Sequence, residues 1–341
     1  MTIIIGIDPH KATHTAVAID DTEQPLAQFE LAADRCQTMR LLAWAAPFED
    51  RAWAVESADG LGKLLAQQLV AQGEHVIDVP ATLAARVRLL GSTKASKNDP
   101  NDALSTAIAG LRHCGLRRVV ADDHRVVVRM LVRRFGDLTA RRTQAVCRLH
   151  AVLIELVPGG MPCKLKADQA TAVLRRVRTG NPVDVARKQL AADLVGEVRH
   201  CDRELELMRK RITDAVNASG TTLTEIYGVG PIVAALILGY AGDPARFPTK
   251  ENFASYNGTA PIEASSGPKA RHRLNPRGNR KLNHAMHLIA VTQIRNAGTP
   301  GRVFYERKLA EGKTKKEALR ALKRRISDAV WRQLQVDLGR R

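Results

Sequence analysis

The sequence predicts a mixed α/β domain at its N-terminus, a pair of long helices after it, and a mainly helical C-terminal part. Three observations carry this reading. Residues 1 to about 118 alternate short β-branched runs with helix-period stretches. From about Asp122 the apolar residues recur at alternating spacings of three and four. The charge changes sign between the parts: residues 1–110 hold 9 basic and 14 acidic side chains, whereas residues 111–341 hold 44 and 21.

The strands come first. Ile3–Asp8 is an apolar β-branched run, and His14–Ile19 follows it after a short polar turn. Leu26–Glu30 and Trp53–Glu56 read as a third and a fourth strand, and His75–Val79, between Gly73 and Pro80, as a fifth. Helical stretches are predicted over Asp34–Ala45, Leu61–Gln72 and Pro100–His113. Three strands followed by strand–helix–strand–helix specify a mixed sheet.

The middle segment, residues 119–218, predicts a coiled-coil or oligomerisation element. Val128, Leu131, Phe135, Leu138, Arg142, Ala145, Leu149, Val152 and Leu156 form a heptad seam that Arg142 alone interrupts and that stops at Pro158-Gly159-Gly160. Leu190, Leu194, Val198, Cys201, Leu205, Met208 and Ile212 form a second seam ending near Ser219-Gly220. The two seams fit either an antiparallel hairpin or a contact between subunits, and the subunit contact is the favoured expectation. Residues 219–341 read as a third segment, with a Gly-punctuated apolar helix, a polar stretch at 257–280 and strongly basic helices at the end.

A net charge of +18 concentrated after residue 110 is the footprint of a polyanion partner, and the sequence therefore predicts nucleic-acid binding. Aromatic residues make up only 4%, which argues against base stacking as the main mode of recognition. Five scattered cysteines without a C-x-x-C pair fit a reducing cytoplasm and speak against structural zinc. The apolar start lacks a basic leader and reads as a strand, and no run suits a membrane span. The expected location is the cytoplasm.

An acidic N-terminal part in a DNA-binding chain needs a reason, and a metal site supplies one. Asp8 ends the first strand, Glu56 ends the fourth, and Asp99 and Asp102 share one face at the start of a helix. Two Mg²⁺ ions about 3.5–4 Å apart clamp the attacking and leaving oxygens of a phosphodiester, and such ions take oxygen ligands. Acids on the first strand, the fourth strand and a later helix are the placement this chemistry needs in an RNase H-like sheet. Each acid also has an ordinary structural role open to it. Asp99 followed by Pro100 and Asp102 makes a good helix start, Asp8 suits a turn, and Glu56 suits an arginine partner. Lys11 reads equally as a phosphate contact or an exposed turn residue.

Ser265-Ser266-Gly267 lies in a long loop followed by Lys269, Arg271, His272, Arg273, Arg277, Arg280 and Lys281. An exposed serine beside converging bases and a helix N-terminus suits a phosphate in attack geometry, although Ser-Ser-Gly is also a common loop sequence. Upstream, Gly228-Val229-Gly230-Pro231 resembles a helix-hairpin-helix turn whose backbone N–H groups approach a phosphate, and it serves equally as a C-cap and an N1 proline.

Taken together, GIDPHK, AVES and KNDPNDA at the front and LTEIYGVGPIVAALIL and NGTAPIEASSG further on resemble the DEDD transposases of insertion-sequence family one-ten. The resemblance implies a RuvC-like catalytic domain at 1–118 and a C-terminal transposase domain at 219–341. It places the catalytic, metal-holding acids at Asp8, Glu56, Asp99 and Asp102 and the nucleophile at Ser266, with Ser265 as the neighbouring candidate. It also implies Mg²⁺, a homo-oligomer of two to four copies, donor and target DNA, and a structured guide RNA from the same element. A junction nuclease using metal-activated water and a non-catalytic nucleic-acid binder are the competing expectations.

Overall fold

Ile3–Pro9 forms β1, the middle of a six-stranded sheet. The computed structural model describes residues 2–91, 99–162, 165–263, 272–273, 275 and 278–340. The remaining strands are β2 (Thr13–Ile19), β3 (Pro25–Ala32), β4 (Arg51–Glu56), β5 (Val76–Val79) and the two-residue β6 (Arg117–Arg118). Their order is β3-β2-β1-β4-β5-β6. Strands β1–β3 form an antiparallel meander, β4 and β5 run parallel to β1, and β6 returns antiparallel. This topology is RNase H-like, as the sequence predicted.

Both faces of the sheet are covered, which is why β1 reads as an unbroken apolar run. Ile5 and Ile7 of β1 join Trp53 and Val55 of β4 against α1 (Gln37–Ala45) and α2 (Lys63–Ala71). Ile4 of β1 and Ala52 and Ala54 of β4 face the other way, with α3 (Ala81–Gly91) and α4 (Asp99–Arg112). The side-chain period of two then puts Gly6, Asp8 and Glu56 on the α4 face. Helix α3 and strand β6 were not anticipated. Arg86 and Arg88 interrupt the apolar pattern of α3, and two exposed arginines carry no strand signal.

Residues 1–122 form one compact unit and 123–341 a second. In the second, α5 (His124–Ile154) and α7 (Pro182–Ala218) pack as an antiparallel pair, with α6 (Ala167–Arg176) against them. Ala145, Leu149 and Leu153 meet Ala191, Leu194 and Val198 at one end of the pair. Val128, Val132 and Leu138 share a core with Leu205, Met208 and Ile212 at the other. The two seams are thus used on each other within the chain, and the structure takes the hairpin rather than the favoured contact between subunits. Arg142, the one polar seam position, reaches Asp202 on α7.

The same core continues into α8 (Pro231–Ala241), α10 (Arg280–Arg295) and α12 (Lys315–Gly339) through Leu238, Ile289 and Val330. The middle helices and the C-terminal part therefore share one core. Helices α9 (Lys250–Tyr256) and α11 (Pro300–Ala310) complete the helical set described here. Inside the predicted long loop lies a short ladder not anticipated from sequence, with β7 (Ile262–Glu263) antiparallel to β8 (His272–Arg273). Among the described residues no helix is long and apolar enough to cross a membrane.

Candidate active site

The N-terminal site is built by a close approach of α4 to β1. A Cβ at Gly6 would lie 2.2 Å from the Ala103 carbonyl oxygen and 2.4 Å from the Ala107 nitrogen. A Cβ at Gly110 would lie 2.7 Å from the Ala54 methyl. Glycine and alanine at these positions let the helix lie almost on the strands. The first turn of α4 is thereby carried to the ends of β1 and β4, where Asp8 and Glu56 emerge. After Glu56 the chain turns sharply: Ser57 takes φ 51°, and its carbonyl accepts from the Gly60 and Gly62 N–H groups. A serine in this left-handed region costs roughly 1 kcal/mol, which the surrounding structure must supply.

Asp8 and Asp102 are buried, at 7% and 8% exposure, while the Asp99 side chain is half exposed. Burial pushes the Glu56 carboxyl above the ordinary glutamate range, and the negative charges of Asp8 and Asp102 push it further. Thr106 on α4 and Arg88 on α3 oppose that shift. Glu56 therefore feels both aspartates as like charges, and the fold holds three acids together against their repulsion. Thr106 Oγ1 lies 2.9 Å from the Asp102 carbonyl and 3.4 Å from Glu56 Oε2, so its single proton goes mainly to the helix backbone. Arg88 donates to the Asp102 carboxylate as a built-in counter-ion.

His10 completes the picture. Its Nδ1 is 3.9 Å from an Asp8 oxygen and 3.9 Å from an Asp99 oxygen, too far for a hydrogen bond. That nitrogen is shielded from solvent and has no hydrogen-bond partner. Ligand atoms of Asp8, His10 and Asp99 all lie within 4.8 Å of one another. Carboxylate oxygens around an orphaned imidazole nitrogen fit a divalent cation. The structure brings Asp8, Glu56 and Asp102 together around Glu56, and Asp8 and Asp99 together around His10. Lys11 is exposed in the turn between β1 and β2.

Sequence reasoning missed His10 and Arg88. The signal for His10 was present: its N–H donates to the Thr13 carbonyl, so the ladder runs one rung past β1. The period Ile4, Gly6, Asp8 then continues to His10. Arg88 had no comparable signal, because it belongs to the helix that was not anticipated.

In the second unit, Ser265, Ser266, Lys269, Arg271 and Arg277 lie outside the described residues. The backbone of Arg273 belongs to β8, and Arg280 and Lys281 are exposed at the start of α10. Below that ladder is a polar frame. Asn257 is fully buried; its amide donates to Ser327, and its side-chain oxygen accepts from the Thr259 N–H and hydroxyl. Asn283 donates to the Asn257 carbonyl at 3.0 Å, and Lys323 donates to Asn283. Burial holds the Lys323 ammonium below the ordinary lysine range. Gly278 packs so tightly that a Cβ would lie 2.4 Å from the Gly258 Cα.

Gly228 has φ 91°, a left-handed conformation that favours glycine, and faces Ile289 and Thr292 of α10. Gly230 is the exposed N-cap of α8, followed by Pro231 at N1. A three-residue 3₁₀ turn precedes this pair in place of the first helix of a helix-hairpin-helix.

Residues 5–158 match a family described as a transposase of the DEDD, IS110 type. Residues 220–306 match the transposase family of IS116, IS110 and IS902. The chain belongs to the IS110/IS116 family of insertion-sequence transposases. This family membership makes DNA cleavage and recombination its class of activity. A 44.8 kDa protein of insertion element IS116 from Streptomyces clavuligerus is 26% identical over 97% of this chain and 94% of its own length. A 43.6 kDa protein of element IS110 from Streptomyces coelicolor is 35% identical over 63% of this chain and 54% of its own. Among solved structures, T. thermophilus RuvC in complex with a Holliday junction substrate is 18% identical, with a TM-score of 0.29 over 35% of this chain and 100% of that one.

Proposed function

We propose that this transposase cuts and rejoins DNA through two centres, an acidic metal site made of Asp8, Glu56, Asp99 and Asp102 and a serine nucleophile, Ser266. The observation that carries the reading is the convergence of strand-end acids from β1 and β4 with the first turn of α4. When bound there, Mg²⁺ supplies Lewis-acid stabilisation of charge on the phosphodiester oxygens. Asp8 and Asp102 provide buried, fixed carboxylates for it, and the cluster's mutual repulsion favours a cation in the site. Arg88 neutralises Asp102 until the metal is present and is then available to a phosphate.

At the second centre, the Ser266 Oγ forms a bond to phosphorus as one phosphorus–oxygen bond to deoxyribose breaks. The serine proton leaves to a base, and a free deoxyribose hydroxyl is released. Attack by such a hydroxyl on the phosphoserine reverses the step, so the count of phosphoester bonds is conserved and rejoining needs no nucleotide triphosphate. The basic residues Lys269, Arg271, Arg273, Arg277, Arg280 and Lys281 provide charge for the phosphate backbone, with Lys11, Gly228 and Gly230 as further contacts. Resemblance extends the proposal to a guide RNA from the element and to an assembly of two to four copies.

The test is to trap the covalent protein–DNA adduct with and without Mg²⁺. The adduct should vanish in Ser266→Ala and persist in Ser265→Ala. Full strand cleavage by Ser266→Ala, with both product ends free, would instead identify a nuclease using water.

A further inference from the structure

We infer that His10 is a ligand of this metal centre, making it a mixed nitrogen–oxygen site that takes Mn²⁺ more tightly than Mg²⁺. The inference rests on the metal-site reading above and adds to it the identity of a ligand and of the preferred ion. Its starting point is position. The His10 backbone N–H bonds the Thr13 carbonyl at 2.9 Å, which fixes the His10 backbone on a rung beyond β1 and sets its half-exposed side chain on the face that carries Asp8. Its Nδ1 is then held between two carboxylates, 3.9 Å from each, with no hydrogen bond of its own.

The distances suit shared coordination better than an ion pair. Ligand atoms on opposite sides of one ion with bonds near 2.1 Å are about 4.2 Å apart and adjacent ones about 3.0 Å, so the 3.9 Å pair with Asp8 fits across an ion and the pair with Asp99 has to close. The remaining adjustment falls on Asp99, whose side chain is half exposed and able to rotate. Among the described residues this is the one trio of His, Cys, Asp and Glu with ligand atoms this close. Mg²⁺ strongly prefers oxygen, whereas imidazole nitrogen favours first-row transition metals, and Mn²⁺ accepts both ligand types. A second histidine in this part of the chain is not an alternative. His14 alternates to the opposite face of the sheet, where its Nε2 meets Gln37 of α1.

The test uses full-length protein with Mn²⁺ or Mg²⁺ alone, without DNA. Pulsed electron paramagnetic resonance of the Mn²⁺ form should show ¹⁴N coupling from a bound imidazole. That coupling should disappear in His10→Ala and persist in His14→Gln. Competition titrations should show the preference for Mn²⁺ over Mg²⁺ falling about tenfold in His10→Ala, the effect of losing one favourable ligand. Wild-type protein that binds Mn²⁺ without ¹⁴N coupling, or an unchanged Mn²⁺/Mg²⁺ ratio in His10→Ala, overturns the assignment of His10. Mn²⁺ binding that survives Asp8→Asn undiminished overturns the acidic site itself, a separate result.

Discussion

Two polar regions of this transposase, one in each unit, are held by different means. Asp8, Glu56 and Asp102 stand on strand ends and a helix turn, and their relative placement follows from backbone packing at Gly6 and Gly110. The polar frame of the second unit is held by hydrogen bonds. Buried Asn257, with Asn283, Ser327 and Thr259, ties α9, α10 and α12 together beneath the β7–β8 ladder. A metal site needs several ligands fixed within a fraction of an ångström, which regular elements provide. A nucleophile that bonds first to one strand and then exchanges it for another belongs on a loop carried by a rigid base.

Five substitutions would break or sharpen this comparison. The largest effect is expected from Asp8→Asn, which should lower plasmid-strand cleavage by roughly 10³-fold, the size of several kcal/mol of lost charge stabilisation. Circular dichroism should be unchanged, and cleavage within tenfold of wild type would remove Asp8 from the mechanism.

Next come the two glycine contacts. Gly6→Ala forces a methyl against the Ala103 carbonyl and should cost about 3 kcal/mol, with loss of the metal-induced rise in melting temperature. Gly278→Ala should cost a similar amount and suppress the serine adduct, yet leave the metal response intact. If both variants lose both responses, the two centres are not independently built.

A smaller effect is expected from Arg88→Gln. Removing the counter-ion of Asp102 should tighten Mg²⁺ binding about tenfold in a calorimetric titration, because the ion no longer competes with a guanidinium. Weaker Mg²⁺ binding would mean that Arg88 organises the acids rather than competing for them.

The smallest effect concerns Glu56. Its pKa is raised in the folded protein by burial and by Asp8 and Asp102. Folded protein thus holds this proton more tightly than unfolded chain does, and its stabilising contribution is complete below the unfolded pKa. That contribution is lost as pH rises through the folded value. In chelator at neutral pH, Glu56→Gln should therefore melt higher, by about 2–4 °C once partial exposure is allowed for. The difference should shrink toward pH 4, and a lower melting temperature at neutral pH would contradict the repulsion.

Much of this was legible before any coordinates. The five main strands, the sites of all four acids and the two heptad seams follow from apolar periodicity, which records what each residue buries. Helix α3 was hidden by its arginines, and Arg88 with it. His10 was not singled out, because the rung that continues Ile4, Gly6 and Asp8 to it shows only once the ladder is seen. The β7–β8 ladder, two residues a side, was too short to leave a pattern.

Taken alone, the sequence determined the order of elements, the charge division and the residue types available for chemistry, because these depend on local pattern and composition. Tertiary structure alone decided that the two seams pair with each other, that α4 lies against Gly6, and that Arg88 and His10 belong with the acids. Each of those outcomes depends on residues far apart in the chain, or on a rotation set by packing, and neither quantity is written in local sequence.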